Sequence, residues 1–180
     1  MIAGRWTIEP ATAETLPDLL KIEEACFSAP WTRKMLEAEF GGNPFAHFLV
    51  ARRQADAEGV AGAIIGYLCY WIVFEEVRLM NLAVIQSMRH QGVARSLVCA
   101  ALQAGLTQSA QRAVLEVRAS NDAAQSLYRS LNFRQVAVRP KYYDCPVEDA
   151  VLMELDPIVL GAESTIAPCP DRGGHHTPQL

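Results

Sequence analysis

The pattern Arg89-x-x-Gly92-x-Ala94, set between an apolar run and a helical stripe, has the makings of an anion site. A strand that ends in a short loop and opens directly into a helix offers free N–H groups and the positive end of the helix dipole. Small residues at 92 and 94 keep Cβ bulk away from an approaching phosphate. The same pattern also suits a plain helix start with a close packing contact. It is not a Walker loop, since no Gly-Lys-Ser/Thr follows, and it is not a Gly-x-Gly-x-x-Gly fingerprint.

Glu116 stands between Leu115 and Val117 in an apolar run, and glutamate is depleted in strands and rarely buried uncompensated. It reads either as a solvated residue or Arg118 ion-pair partner on one strand face, or as a general base. Tyr128 follows Ala124 and precedes Leu131 at helical spacing, as a core tyrosine would. It also stands seven residues, about two helical turns, after Asn121, which lets both meet one extended ligand. Leu82, Ala83 and Val84 close the run before the Arg89 loop and read first as core. Glu75 and Glu76 read first as a solvated turn between strands. Cys69 and Cys99 fall inside apolar elements where thiols are usually inert, so a covalent acyl-cysteine route is disfavoured, with Cys145 its least implausible nucleophile.

Several elements must hold these residues in place. Thr15 and Pro17 open a helix carrying Leu16, Leu19, Leu20, Ile22 and Cys26, and Thr32 caps a second, short helix that Gly41, Gly42, Asn43 and Pro44 stop. Residues 45–52, 63–74 and 77–84 are rich in β-branched and aromatic types and predict an antiparallel meander. Ala94, Leu97, Val98, Ala101, Leu102 and Gly105 form the stripe of a helix lying on a sheet. Strands are expected over 113–117, 134–138 and 150–155, and a helix over 122–131. This order is that of an α+β domain over 1–156. From Pro157 onward proline and glycine replace apolar periodicity, which predicts a mobile tail over 157–180. Cys169, His175 and His176 in it are too loosely arranged for a metal site, and no metal is expected.

The chain has 180 residues and a net charge of −4, which disfavours direct nucleic-acid binding. Its five cysteines are an odd number without a Cys-x-x-Cys pair, so the expectation is a reduced, cytoplasmic protein. The longest uncharged run, 59–74, is shorter than the roughly 20 residues that span a bilayer, and the N-terminus lacks a signal-peptide pattern. No membrane association is expected.

Four segments together carry a family resemblance. The Arg89–Ala94 loop looks like the coenzyme A pyrophosphate cradle of the GCN5-related N-acetyltransferase (GNAT) superfamily, R/Q-x-x-G-x-G/A. Residues 115–133, LEVRASNDAAQSLYRSLNF, resemble the signature L-E-V-R-x-S-N-x-x-A-x-x-L-Y-x-x-x-G-F of its bacterial ribosomal-protein alanine N-acetyltransferases. Arg139-Pro-Lys-Tyr-Tyr with Glu148-Asp-Ala resembles their R-x-x-Y-Y and E-D-A segments, and Phe27-Ser-Ala-Pro-Trp-Thr is similar to F-x-x-P-W-[ST]. The likeness runs over roughly 7–155. Departures are Ala94 for the commoner glycine, Ile85–Met88 in place of a proline-containing turn, and Asn132 for glycine, asparagine being the residue that best tolerates positive φ there.

The resemblance implies a GNAT fold, a mixed and mostly antiparallel sheet with helices on both faces and a V-shaped opening between two central strands. It implies acetyl-CoA as co-substrate, bound by Arg89, His90, Gln91, Gly92, Val93, Ala94, Arg95 and Asn121 and by the backbone of a bulged Leu82-Ala83-Val84. Glu116 becomes the general base, acting directly or through water, and Tyr128 the acid that protonates the leaving thiolate. Glu75 and Glu76 are expected beside the acceptor groove, where they would receive a basic second residue. The implied reaction is acetylation of a protein N-terminal α-amine, with the N-terminal alanine of a small-subunit ribosomal protein as the expected acceptor. Lysine or small-molecule acetylation and a non-catalytic acyl-CoA sensor remain the alternatives.

Overall fold

The computed structural model describes residues 6–54 and 62–160. The Cys169, His175 and His176 group and most of the expected tail lie outside the described residues. The strands β1 (Trp6–Pro10), β2 (Ala46–Arg53), β3 (Ile64–Val73), β4 (Glu76–Val84), β5 (Arg112–Arg118), β6 (Arg134–Asp144) and β7 (Val147–Leu155) form one sheet in the order β1-β2-β3-β4-β5-β7-β6. Every neighbouring pair is antiparallel except β4–β5, which runs parallel. The expected mixed, mostly antiparallel α+β sheet is therefore present.

Alternation along the strands feeds two cores. Phe48 and Val50 of β2 turn to the face covered by α1 (Leu16–Cys26) and α2 (Arg33–Glu37), whose Leu19, Ile22 and Leu36 are buried there. Leu49 and Ala51 turn to the opposite face, where α3 (Val93–Thr107) lays down Leu97, Val98, Ala101 and Leu102. Tyr128 of α4 (Asp122–Ser130), with Leu131 and Phe133, continues this second core. The Thr32 hydroxyl accepts from the Met35 N–H and caps α2, as its sequence position predicts. Asn132 adopts φ 68°, the left-handed conformation expected where the resembled signature has glycine.

Two strand expectations fall short. β1 escapes notice because it is a five-residue edge strand carrying Glu9 and Pro10. β6 runs on to Asp144, beyond the expected end at 138, through a bulge that absorbs Pro140 and Lys141. The domain also passes the expected boundary at 156. Ile158 is buried in the α3-side core and its N–H donates to the Gln111 carbonyl at 2.7 Å. No described helix is long and apolar enough to cross a membrane.

Candidate active site

The central opening begins where β4 and β5 part. Their parallel ladder runs from Glu76↔Arg112 to Leu79↔Leu115 and goes no further. On its other edge β4 stays paired to β3 up to Val84, with a register shift that leaves Met80 as an extra residue between Leu79 and Asn81. The bulge thus sits at Met80, ahead of the expected Leu82-Ala83-Val84. It bends β4 away from β5. The Ile85 N–H donates to the Ile65 carbonyl, so strand alternation commits the Ala83 N–H to β3 as well. The N–H groups of Leu82 and Val84 turn toward the gap. Ala83 is thereby removed from the expected set of free main-chain donors.

One half of the resulting cleft, about 450 Å³, is walled by Leu82, Ala83, Val84, Asn121 and the loop into α3. Arg89, His90, Gly92, Val93, Ala94 and Arg95 all line it, whereas Gln91 turns its amide away to the Ser87 carbonyl. The Arg89 side chain donates to the Val84 carbonyl at 3.0 Å and so ties the loop to the strand end. Gly92 caps α3 at φ 93°, and a Cβ built there meets nothing within 4 Å. Open space beside a left-handed glycine at the start of a fifteen-residue helix, whose first-turn N–H groups lack helical partners, fits a pyrophosphate. Asn121 caps α4 by accepting from the Ala124 N–H at 3.1 Å, which leaves its amide N–H₂ to donate into the cleft.

The other half, also about 450 Å³, shares Phe27, Leu82, Asn121 and Ala124 with the first and brings in Glu116, Tyr128, Tyr143, Trp31 and Met80. Glu116 and Tyr128 therefore face one cavity. Burial pushes the Tyr128 phenol well above its ordinary value, so it stays protonated as a proton donor must. Glu116 is paired to Arg139 at 2.7 Å, while Arg118 pairs with Glu148 at 3.2 Å; the Glu116–Arg118 pair that strand spacing allows is not made.

Glu75 and Glu76 are not at this cleft. Glu75 stands in the turn before β4 and Glu76 opens the strand, six residues and roughly 20 Å from Leu82, and both line a separate cavity with Phe74, Arg78 and Arg112. Glu76 is buried and neutralised by Arg78 at 2.6 Å and Arg112 at 2.8 Å. The half that holds Glu116 contains instead a carboxylate that sequence reading passes over. Glu23 of α1 is fully buried, accepts from the Tyr67 hydroxyl, the Asn81 amide at 3.0 Å and the Trp31 N–H, and lines the cavity wall. Its position on the apolar face of α1, one residue after Ile22, was the available signal.

The acetyltransferase (GNAT) family model matches residues 16–133. The chain belongs to the GNAT family. This GNAT chain is 33% identical over 151 residues to the [ribosomal protein bS18]-alanine N-acetyltransferase of Salmonella typhimurium, covering 83% of its own length and 96% of the relative's. It is 31% identical over 155 residues to the protein of that name from Escherichia coli K12, with coverage of 83% and 96%. The crystal structure of the Escherichia coli ribosomal-protein-S18-alanine N-acetyltransferase superposes with a TM-score of 0.74 at 28% identity, over 90% of this chain and 99% of that one. Arabidopsis thaliana NAA60 in complex with acetyl-CoA shares the fold, with a TM-score of 0.75 at 18% identity over 84% and 98% of the two chains. This GNAT protein is an acetyltransferase, and its cleft joins a half walled by the loop into α3 to one that gathers Glu116, Tyr128 and Tyr143.

Proposed function

We propose that the protein acetylates the N-terminal α-amine of a protein, with the N-terminal alanine of ribosomal protein bS18 as its acceptor. The observation that carries this reading is the match to bS18-alanine N-acetyltransferases over nearly their whole length. Ribosome modification belongs to the cytoplasm, where acetyl-CoA and nascent ribosomal proteins meet.

Acetyl-CoA, when bound, supplies the activated acyl carbon. The α3 N-terminus and the Arg89–Arg95 loop hold its pyrophosphate, and the Asn121 amide binds the pantetheine arm. The Leu82 and Val84 N–H groups steady that arm and the acetyl oxygen as it gains charge. Glu116 takes the proton that the acceptor nitrogen must lose, directly or through one water. A modest base suffices because an α-ammonium has a pKa of about 8, against about 10.4 for lysine. Tyr128, on the same cavity, donates its O–H to the sulfur as the C–S bond breaks; a thiol of pKa about 8.5 is a stronger acid than a phenol of about 10, so any phenolate formed is reprotonated at once and the phenol ends the cycle neutral. Both substrates occupy the cleft together and no acyl-enzyme is required. Burial holds the Cys69 thiol far above its usual range, which suits an inert core cysteine.

The test is a panel of N-terminal peptides incubated with acetyl-CoA and read by mass spectrometry for the modified nitrogen. Acetylation of the α-amine of an Ala-starting peptide, with an internal lysine untouched, is expected. Preferential lysine modification would overturn the acceptor assignment, and bound coenzyme A without turnover of any amine would make the protein a sensor.

A further inference from the structure

The carboxylate assigned to take the acceptor's proton is not free. Its Oε1 accepts from Arg139 Nη1 at 2.7 Å. The fold goes out of its way to bring Arg139 there. β6 lies outside β7, so Arg139 reaches β5 across Ala150, which pairs with Arg139 on one side and Arg118 on the other. A methyl at that position leaves the path open. The β6 bulge just beyond, with Lys141 at φ 51° and its N–H on Asp149 Oδ1 at 2.8 Å, folds Tyr142 back under the guanidinium.

Arg118 shows what a fixed arginine looks like on this face. It is held by Glu148, by the Cys145 and Pro146 carbonyls and by the Tyr143 ring at 4.1 Å. Arg139 is half exposed and, among the described contacts, holds only Glu116 and the Tyr142 ring at 4.9 Å. One arginine is anchored and the other is displaceable.

We propose that Arg139 is the resting counter-ion of Glu116, occupying the place of the acceptor ammonium and disfavouring the amine's protonated form. This rests on the reading of Glu116 as the carboxylate that meets the acceptor nitrogen. An ammonium that arrives with its proton must share the carboxylate with a guanidinium, a like-charge contact, or displace it and forfeit the existing pair. A neutral amine meets neither cost. Around the pair stand Arg118 on β5, Tyr142 and Tyr143 on β6, Glu148 and Asp149 on β7 and Tyr128 on α4, and of the two cations Arg118 is occupied by Glu148. Arg139 is thus a positioning residue that acts through Glu116.

The experiment measures KM for an Ala-starting peptide, at saturating acetyl-CoA, in wild type, Arg139→Gln, Arg139→Met and Arg139→Lys at pH 6.5, 7.5 and 9. Removing the charge is expected to lower the peptide KM roughly two- to fivefold at pH 6.5, the size an exposed ion pair carries. The gain should disappear at pH 9, above the α-amine pKa of about 8. The lysine variant should stay near wild type, and KM for acetyl-CoA should not move. A merely structural arginine, or one that binds the peptide, gives a higher KM in the neutral variants. That result, no change at pH 6.5, or an equal fall at every pH would overturn the proposal. So would persistence of the effect in a Glu116→Gln background. An unchanged kcat in Glu116→Gln alone removes the base assignment without touching this one, since the KM comparison needs only a carboxylate that binds a cation.

Discussion

Glu116 and Tyr128 meet the cleft in opposite conditions, one an ion-paired carboxylate a third exposed and the other a phenol deep in the α3-side core. Glu116→Gln and Tyr128→Phe should each lower kcat by about 10² to 10⁴, the usual range for a positioned base or acid, with acetyl-CoA affinity by calorimetry nearly unchanged. Burial raises the Tyr128 pKa, so its acid form persists to higher pH than a free tyrosine's. The kcat profile of the wild type should therefore show no alkaline limb from this residue up to pH ~10. Glu116 was legible because a carboxylate inside an apolar strand needs a reason. Glu23 was not, because Tyr67 and Asn81, the partners that make its burial tolerable, lie 44 and 58 residues away. Glu75 and Glu76 were placed at the wrong end of β4, since the residues of a strand do not say which of its ends opens onto the site.

The elements were legible wherever periodicity was strong, as in α3 and the β2-β3-β4 meander. They were missed where an edge strand tolerates proline and charge, as in β1 and the far half of β6. Two glycines on α3 separate packing from binding. A Cβ on Gly105 falls 2.2 Å from Val77 Cγ2, so Gly105→Ala should destabilise the fold despite alanine's helix advantage of about 1 kcal/mol. Overpacking of this kind costs ~1 to 3 kcal/mol, which a urea midpoint would read as a net loss; a gain would mean the helix shifts freely on β4. At Gly92 no atom obstructs a side chain, but φ 93° strains a β-branched one and its bulk would fill the phosphate space. Gly92→Val should weaken acetyl-CoA roughly tenfold or more in calorimetry, and equal binding would remove the loop from the cofactor site.

For the molecule as a whole, composition and motif pattern foretold the fold class, whereas the C-terminal limit of the packed core had to be seen. Compositional change at Pro157 hides the contribution of Ile158, whose side chain is buried and whose N–H holds the start of β5 through Gln111. A chain ending at Asp156 should be about 2 kcal/mol less stable than one ending at Leu160, the burial value of one isoleucine, as urea denaturation of the two would reveal. The parting of β4 from β5 has a different consequence. It leaves the Leu82 and Val84 amides outside both ladders, where the proposed cofactor would meet them, and an amide is common to every residue but proline. A side-chain scan would therefore pass over that stretch in silence: Leu82→Ala and Val84→Ala should keep their acetyl-CoA affinity while proline at either position loses it. Evolution can rewrite such letters without rewriting the site, which lies partly hidden from any survey that looks for it in side-chain identity.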